Sequence, residues 1–130
     1  MFALDTNTLV YFFKGVGRVK DRLLAVSPSD VGIPSVVLYE LEMGIAQSTQ
    51  PAKRRSQLDA LLTAVSVLPF DLASAKRSAE LSSFLRKAGT AIGPMDNLIA
   101  GTALAHGATL VTHNAGEFRR VRGLTITDWL

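Results

Sequence analysis

At 130 residues the chain fits one globular unit, residues 1–130, because two domains of half that length would each lie near the lower limit for a self-supporting core. Hydrophobic residues at 48% and charged residues at 19% exclude an intrinsically disordered chain, and the absence of cysteine excludes disulfides and thiolate metal sites and fits a reducing compartment. The formal charge is +3, with basic residues grouped as Lys53–Arg55, Arg86–Lys87 and Arg119, Arg120 and Arg122, a pattern that suits an anionic partner or, more plainly, solvated helix faces.

Phe2-Ala3-Leu4 is a short apolar run that stops at Asp5-Thr6-Asn7, after which Leu9, Val10, Phe12 and Phe13 recur at helical spacing. This reads as a strand, a polar corner and a helix. Asp5 at the strand tip is a first candidate for chemistry, since open α/β sheets collect ligands at the carboxyl ends of their strands. The plainer alternative is that Asp5 or Asn7 caps the helix. The start shows no basic leader before an apolar core, and no apolar run is long enough to span a bilayer, so a cytoplasmic protein without a membrane segment is expected.

Gly15-Val16-Gly17 interrupts the pattern, Val19 to Val26 supplies a short second helix, and Ser27-Pro28-Ser29-Asp30 a turn. Val31-Gly32-Ile33 reads as a strand closed by Pro34, with Ser35 as a natural N-cap for a helix from Val36 to Gln47. That helix is apolar on nearly every face yet carries Glu40 and Glu42, and periodicity does not decide which faces inward. A helix from Pro51, a strand at Val65–Leu68 and a long helix from Leu72 to Lys87, capped by Asp71, follow.

After a loop containing Gly89, Gly93 and Pro94, Asp96 falls in the first turn of a helix of small and aliphatic residues, where the helix dipole favours a carboxylate. Ala108–Thr112 is the next buried strand, followed by a second polar corner, His113 to Phe118, that repeats the geometry of Asp5. Leu124-Thr125-Ile126 reads as an edge strand covered by Asp128-Trp129-Leu130. Short strands alternating with helices predict an α/β fold with a mainly parallel central sheet flanked by helices on both faces.

If these strands are parallel neighbours, Asp5, Asp96, Asn114, Glu117 and one of Glu40 or Glu42 can converge at one edge. Clustered carboxylates need raised pKa values or a cation, and oxygen donors without His or Cys suit Mg²⁺, with Mn²⁺ a possible substitute. Such a centre hydrolyses phosphodiesters, while basic clusters hold the rest of the polyanion. The rival catalysts, His106 and His113, are only two and show no sign of facing each other.

Taken together, LDTN at 4–7, SVVLYELEMG at 35–44, IGPMDNLIA at 92–100, LVTHNAGEF at 110–118 and GLTITDW at 123–129 resemble the PIN-domain ribonucleases, specifically the VapC-type toxins of bacterial toxin–antitoxin systems. The resemblance spans essentially the whole chain and implies one PIN domain. By that resemblance Asp5 and Asp96 match metal-binding aspartates, and Glu40 matches the active-site glutamate in preference to Glu42. Where many PIN domains place a fourth acid, this chain has Asn114. Glu117 one turn later is a possible replacement, and Thr6 and Thr112 are possible supporting hydroxyls.

The resemblance further implies a Mg²⁺-dependent endoribonuclease acting on RNA, including tRNA and initiator tRNA, a homodimer, and a cognate VapB-like antitoxin. Two alternatives stand beside it. One is a catalytically weak PIN-like module that binds RNA or an antitoxin. The other is a small phosphatase with Asp5 as nucleophile, which would want an aspartate where the chain has Asn7.

Overall fold

The computed structural model describes residues 1–130. Five parallel strands form one sheet in the order β3-β2-β1-β4-β5, so the sheet expected to be mainly parallel is parallel throughout. The strands are β1 (Phe2–Leu4), β2 (Val31–Pro34), β3 (Ser66–Leu68), β4 (Thr109–Val111) and β5 (Ile126–Thr127). All four residues of β2 are buried, as are Ala3, Leu4, Leu110 and Val111, the burial expected of a parallel sheet covered on both faces.

Seven helices connect and cover it: α1 (Thr6–Lys14), α2 (Val19–Leu24), α3 (Ser35–Ala46), α4 (Pro51–Leu62), α5 (Leu72–Lys87), α6 (Pro94–Ala105) and α7 (Ala115–Phe118). No helix is long and apolar enough to cross a membrane. The chain winds outward from β1 to β2 and β3, then returns to place β4 on the other side of β1. The reversal of strand order between β1 and β4 opens a crevice at their carboxyl ends, where α/β sheets bind ligands.

Local chemistry explains the boundaries that frame this crevice. Asp5 ends β1 in an extended conformation and caps α1, its Oδ1 accepting the Thr6 backbone N–H at 2.8 Å. Gly15, at φ 69°, closes α1 in the left-handed region. Asp71 caps α5 as expected, accepting the Ser74 N–H at 2.9 Å and its hydroxyl at 2.8 Å.

Several boundaries differ from the sequence reading, three of them with a clear local cause or consequence. Ser35 is not an N-cap but the first residue of α3; its hydroxyl donates to Leu68 O and accepts from Phe70 N–H, stitching α3 to the end of β3. The corner after β4 contains a short helix, α7, whose N-cap position is held by Asn114. β5 starts at Ile126, later than the apolar run suggests, because Leu110 N–H and Thr112 N–H bond to Thr125 O and Thr127 O. Beyond it Trp129 is buried against Phe2, their ring centroids 5.2 Å apart.

α6 begins at Pro94, so Asp96 lies in its first turn. The helix packs closely along α5. Asn97, buried, donates from Nδ2 to Ser78 O at 2.9 Å, and a side chain on Gly101 would collide with Ser78, whose Oγ would lie 1.9 Å from the added carbon. The first turn of α6, and Asp96 with it, is thereby fixed against α5.

Candidate active site

The carboxyl ends of β1 and β4 supply a pair of anchored groups. Asp5 is 5% exposed and follows β1, its backbone N–H bonded to Val111 O at 3.0 Å across the sheet. Its Oδ2 accepts the Thr112 hydroxyl at 2.7 Å, and that same hydroxyl oxygen accepts the Asn114 N–H at 2.9 Å. Burial raises the Asp5 carboxyl above its ordinary range, against the pull of the Thr112 hydroxyl and the Thr6 N–H, with the Glu40 charge adding to the rise.

Thr6 joins the first helix to the third: its hydroxyl donates to Glu40 Oε1 at 2.7 Å while its backbone N–H serves Asp5. Glu40 is half-buried, and its charge acts on both Asp5 and Asp96. Glu42 lies elsewhere, exposed and held bidentately by Arg55 of α4. The two glutamates that periodicity left undistinguished are therefore separated by geometry.

From the other side, Asp96 and Glu117 share a hydrogen bond, and Asn114 Nδ2 stands 3.5 Å from Asp96 Oδ2 and 3.5 Å from Glu117 Oε2. Asp96 is pushed up to about 7, first by burial, then by the hydrogen bond to Glu117 and the charges of Asp5, Glu117 and Glu40. Glu117 moves down, through the Asp96 bond first and then Asn114, Arg120 and the Gly93 backbone. The two carboxyls therefore titrate as an interacting pair, with protonation favoured at the more buried Asp96.

Four carboxylates from β1, α3, α6 and α7 meet in this way, and none is ion-paired; the chain's ion pairs involve only Glu42, Asp59, Asp71 and Asp128. An all-oxygen donor set with mutual repulsion and no internal cation fits a hard divalent ion. No three acidic or histidine side chains converge closely enough to ligate one ion by themselves. The set therefore suits an ion that keeps several waters and takes one or two carboxylates, as Mg²⁺ does.

The histidines are placed apart. His106 ends α6 and contacts Pro69 O at 3.0 Å just after β3, whereas His113 follows β4 and contacts Asp128 Oδ2 at 2.8 Å. They do not face each other. The sequence reading missed two features bordering the acids: Arg120, whose charge reaches Glu117, and the Asn97 clamp on α5. Arg120 carried a signal in its basic cluster; Asn97 carried none, since an Asn in the first turn of a helix is commonplace.

The PIN domain family model matches residues 2–124. Among curated relatives, the chain is 32% identical over 128 residues to a tRNA(fMet)-specific endonuclease VapC of Salmonella typhimurium, covering 98% of this chain and 97% of that protein. It is 34% identical over 131 residues to the ribonuclease VapC2 of Rickettsia felis, covering 99% and 98%. The crystal structure of VapBC2 from Rickettsia felis bound to a promoter DNA fragment superposes with a TM-score of 0.92 at 33% identity, covering 99% of this chain and 98% of that one. A five-stranded parallel sheet with acids gathered at its switch point, a family match over nearly the full length and these relatives have one meaning: the chain belongs to the PIN-domain family, in its VapC branch.

Proposed function

We propose that residues 1–130 act as one PIN domain and that the protein is a metal-dependent endoribonuclease toxin hydrolysing RNA phosphodiesters, with Asp5 and Asp96 as metal-binding acids and Glu40 as a third catalytic acid. What carries the reading is the meeting of four carboxylates, none of them in an ion pair, at the switch point of the sheet. Mg²⁺, or Mn²⁺ in its place, supplies Lewis acidity and a water of lowered pKa when bound. Asp5 is held rigid by Thr112 and Thr6 and presents its charge from a strand tip. Glu40, oriented by the Thr6 hydroxyl, stands where it can accept a proton from an attacking water.

RNA is the proposed substrate because the curated relatives are named as ribonucleases, and tRNA, including initiator tRNA, because the Salmonella relative is named for it. A VapB-like antitoxin is the proposed partner, since the structural relative is a VapBC complex. α3 leaves Tyr39 and Met43 exposed, apolar surface suited to a protein partner or a second copy of the chain.

The test is cleavage of total RNA and purified tRNA by antitoxin-free protein, with Mg²⁺ or with EDTA, beside Asp5→Asn and Asp96→Asn. Discrete fragments that require Mg²⁺ and vanish in either variant are expected, a loss of at least about a hundredfold for groups acting directly on the reacting centre. Cleavage surviving EDTA and both substitutions would overturn the assignment. RNA retained but uncut by the wild-type protein would favour a catalytically weak RNA-binding module.

A further inference from the structure

The three basic clusters of the sequence have different fates in the fold. On α4, Arg55 is tied to Glu42 and Asp59, and Arg54 to Gln57, so most of that cluster is engaged within the chain. The other two clusters, far apart in sequence, meet. Arg120 donates to Ala91 O at 3.1 Å in the loop after α5, Ala91 and Arg86 line one shallow depression, and the Arg122 guanidinium lies 5.7 Å over the ring of Phe84 on α5. Arg86, Lys87, Arg120 and Arg122 are all exposed, and none is in an ion pair.

The loop that joins them also leads to the acids. Ala91 anchors Arg120, and two residues onward Gly93 borders Glu117 and precedes the first turn of α6, where Asp96 lies. The same loop thus ties the cationic surface at Ala91 to the acidic site at Gly93 and the first turn of α6. A polyanion entering the acidic crevice needs adjoining positive charge to offset repulsion. Arg122 is held in place by Phe84 and Arg120 by the loop carbonyl, so both are positioned before a ligand arrives.

We infer that Arg86, Lys87, Arg120 and Arg122 form the track that grips the RNA phosphate backbone beside the scissile bond, leading into the acid site across the 88–93 loop. The inference deepens the nuclease reading by naming the surface its substrate crosses. It assigns no role in recognition of RNA to the α4 cluster.

The experiment measures retention of total tRNA against salt concentration, in an Asp5→Asn background so that RNA stays intact, beside cleavage by the protein with Asp5 present. The variant Arg86→Gln/Lys87→Gln/Arg120→Gln/Arg122→Gln should bind at least about tenfold more weakly and lose about one unit of log–log salt slope per phosphate contact removed. Lys53→Gln/Arg55→Gln should stay within about twofold. Every substituted side chain is on the surface, and an unchanged melting midpoint certifies the fold. Equal retention by both variants and the parent, or an equal loss in both, would overturn the proposal. So would loss of association with a purified antitoxin while tRNA binding stays intact, which would assign the surface to a protein. Cleavage by the wild type with unaltered binding in the fourfold variant refutes the track alone; weakened binding in that variant without wild-type cleavage refutes the nuclease reading alone.

Discussion

Thr112 is the residue on which the site's geometry depends most directly, because one hydroxyl serves two partners. It donates to Asp5 and accepts from the Asn114 backbone, linking the tip of β1 to the corner after β4. Thr112→Val keeps the shape and removes both bonds, leaving a buried carboxylate short of a donor, and should destabilise the fold by about 1–3 kcal/mol in denaturant titrations. Thr112→Ser, which keeps the hydroxyl, should recover most of that loss. Equal stability of the Val variant and the wild type would show that the two bonds carry little of the arrangement. At this scale the sequence was informative wherever position alone limits a residue's options: Asp5 at a strand tip and Asp96 in a first helical turn could be picked out locally. Glu40 could not, because α3 is apolar around most of its circumference and leaves Tyr39 and Met43 exposed, so no single buried stripe marks the inward side. Its placement depends on a hydroxyl one helix away.

Among the elements, the pairing of α5 with α6 fixes where Asp96 stands. Gly101 and Ser78 meet so closely that Gly101→Ala forces the helices apart, since the new carbon would fall 2.8 Å from Ser78 Cα as well as against its hydroxyl. A loss of about 1–3 kcal/mol is expected from such overpacking, with weaker cleavage as Asp96 shifts. The N-cap of α5 makes a second prediction. The Ser74 N–H and hydroxyl, with His106 nearby, hold the Asp71 carboxyl below its ordinary value of 3.8. A lowered folded-state pKa gives stability that is present above the unfolded value and lost as pH falls through the folded one. The melting midpoint of wild type should therefore exceed that of Asp71→Ala at pH 7, and the gap should close as the pH falls below about 4. A gap independent of pH would mean that the carboxylate charge plays no part in the cap. The sequence made this cap legible because it is local, and it misassigned Ser35 for the complementary reason: that hydroxyl's partners, Leu68 and Phe70, belong to a strand end some thirty residues away.

For the molecule as a whole, the arrangement of charge sets up a tension between folding and function. Parallel winding about β1 brings Asp5, Glu40, Asp96 and Glu117 together, so the folded chain carries a repulsion that the unfolded chain, with these groups dispersed, does not. A divalent cation bound only by the folded state relieves that repulsion and stabilises the fold by an amount set by its concentration relative to Kd, about 2.7 kcal/mol at a hundredfold excess. Mg²⁺ or Mn²⁺ should raise the melting midpoint of RNA-free protein, and EDTA should reverse the rise. Asp5→Asn and Asp96→Asn should gain less from Mg²⁺ than wild type does. Matched ionic strength from NaCl should not reproduce the effect, since screening at a half-buried cluster is weak. A wild-type midpoint indifferent to both ions would remove the metal from the proposed chemistry, while an equal response in wild type and both variants would place the ion away from these carboxylates. Because this measurement needs no RNA, it separates the ion's binding from its use in cleavage, and the acids can be judged as a metal site before any substrate is known.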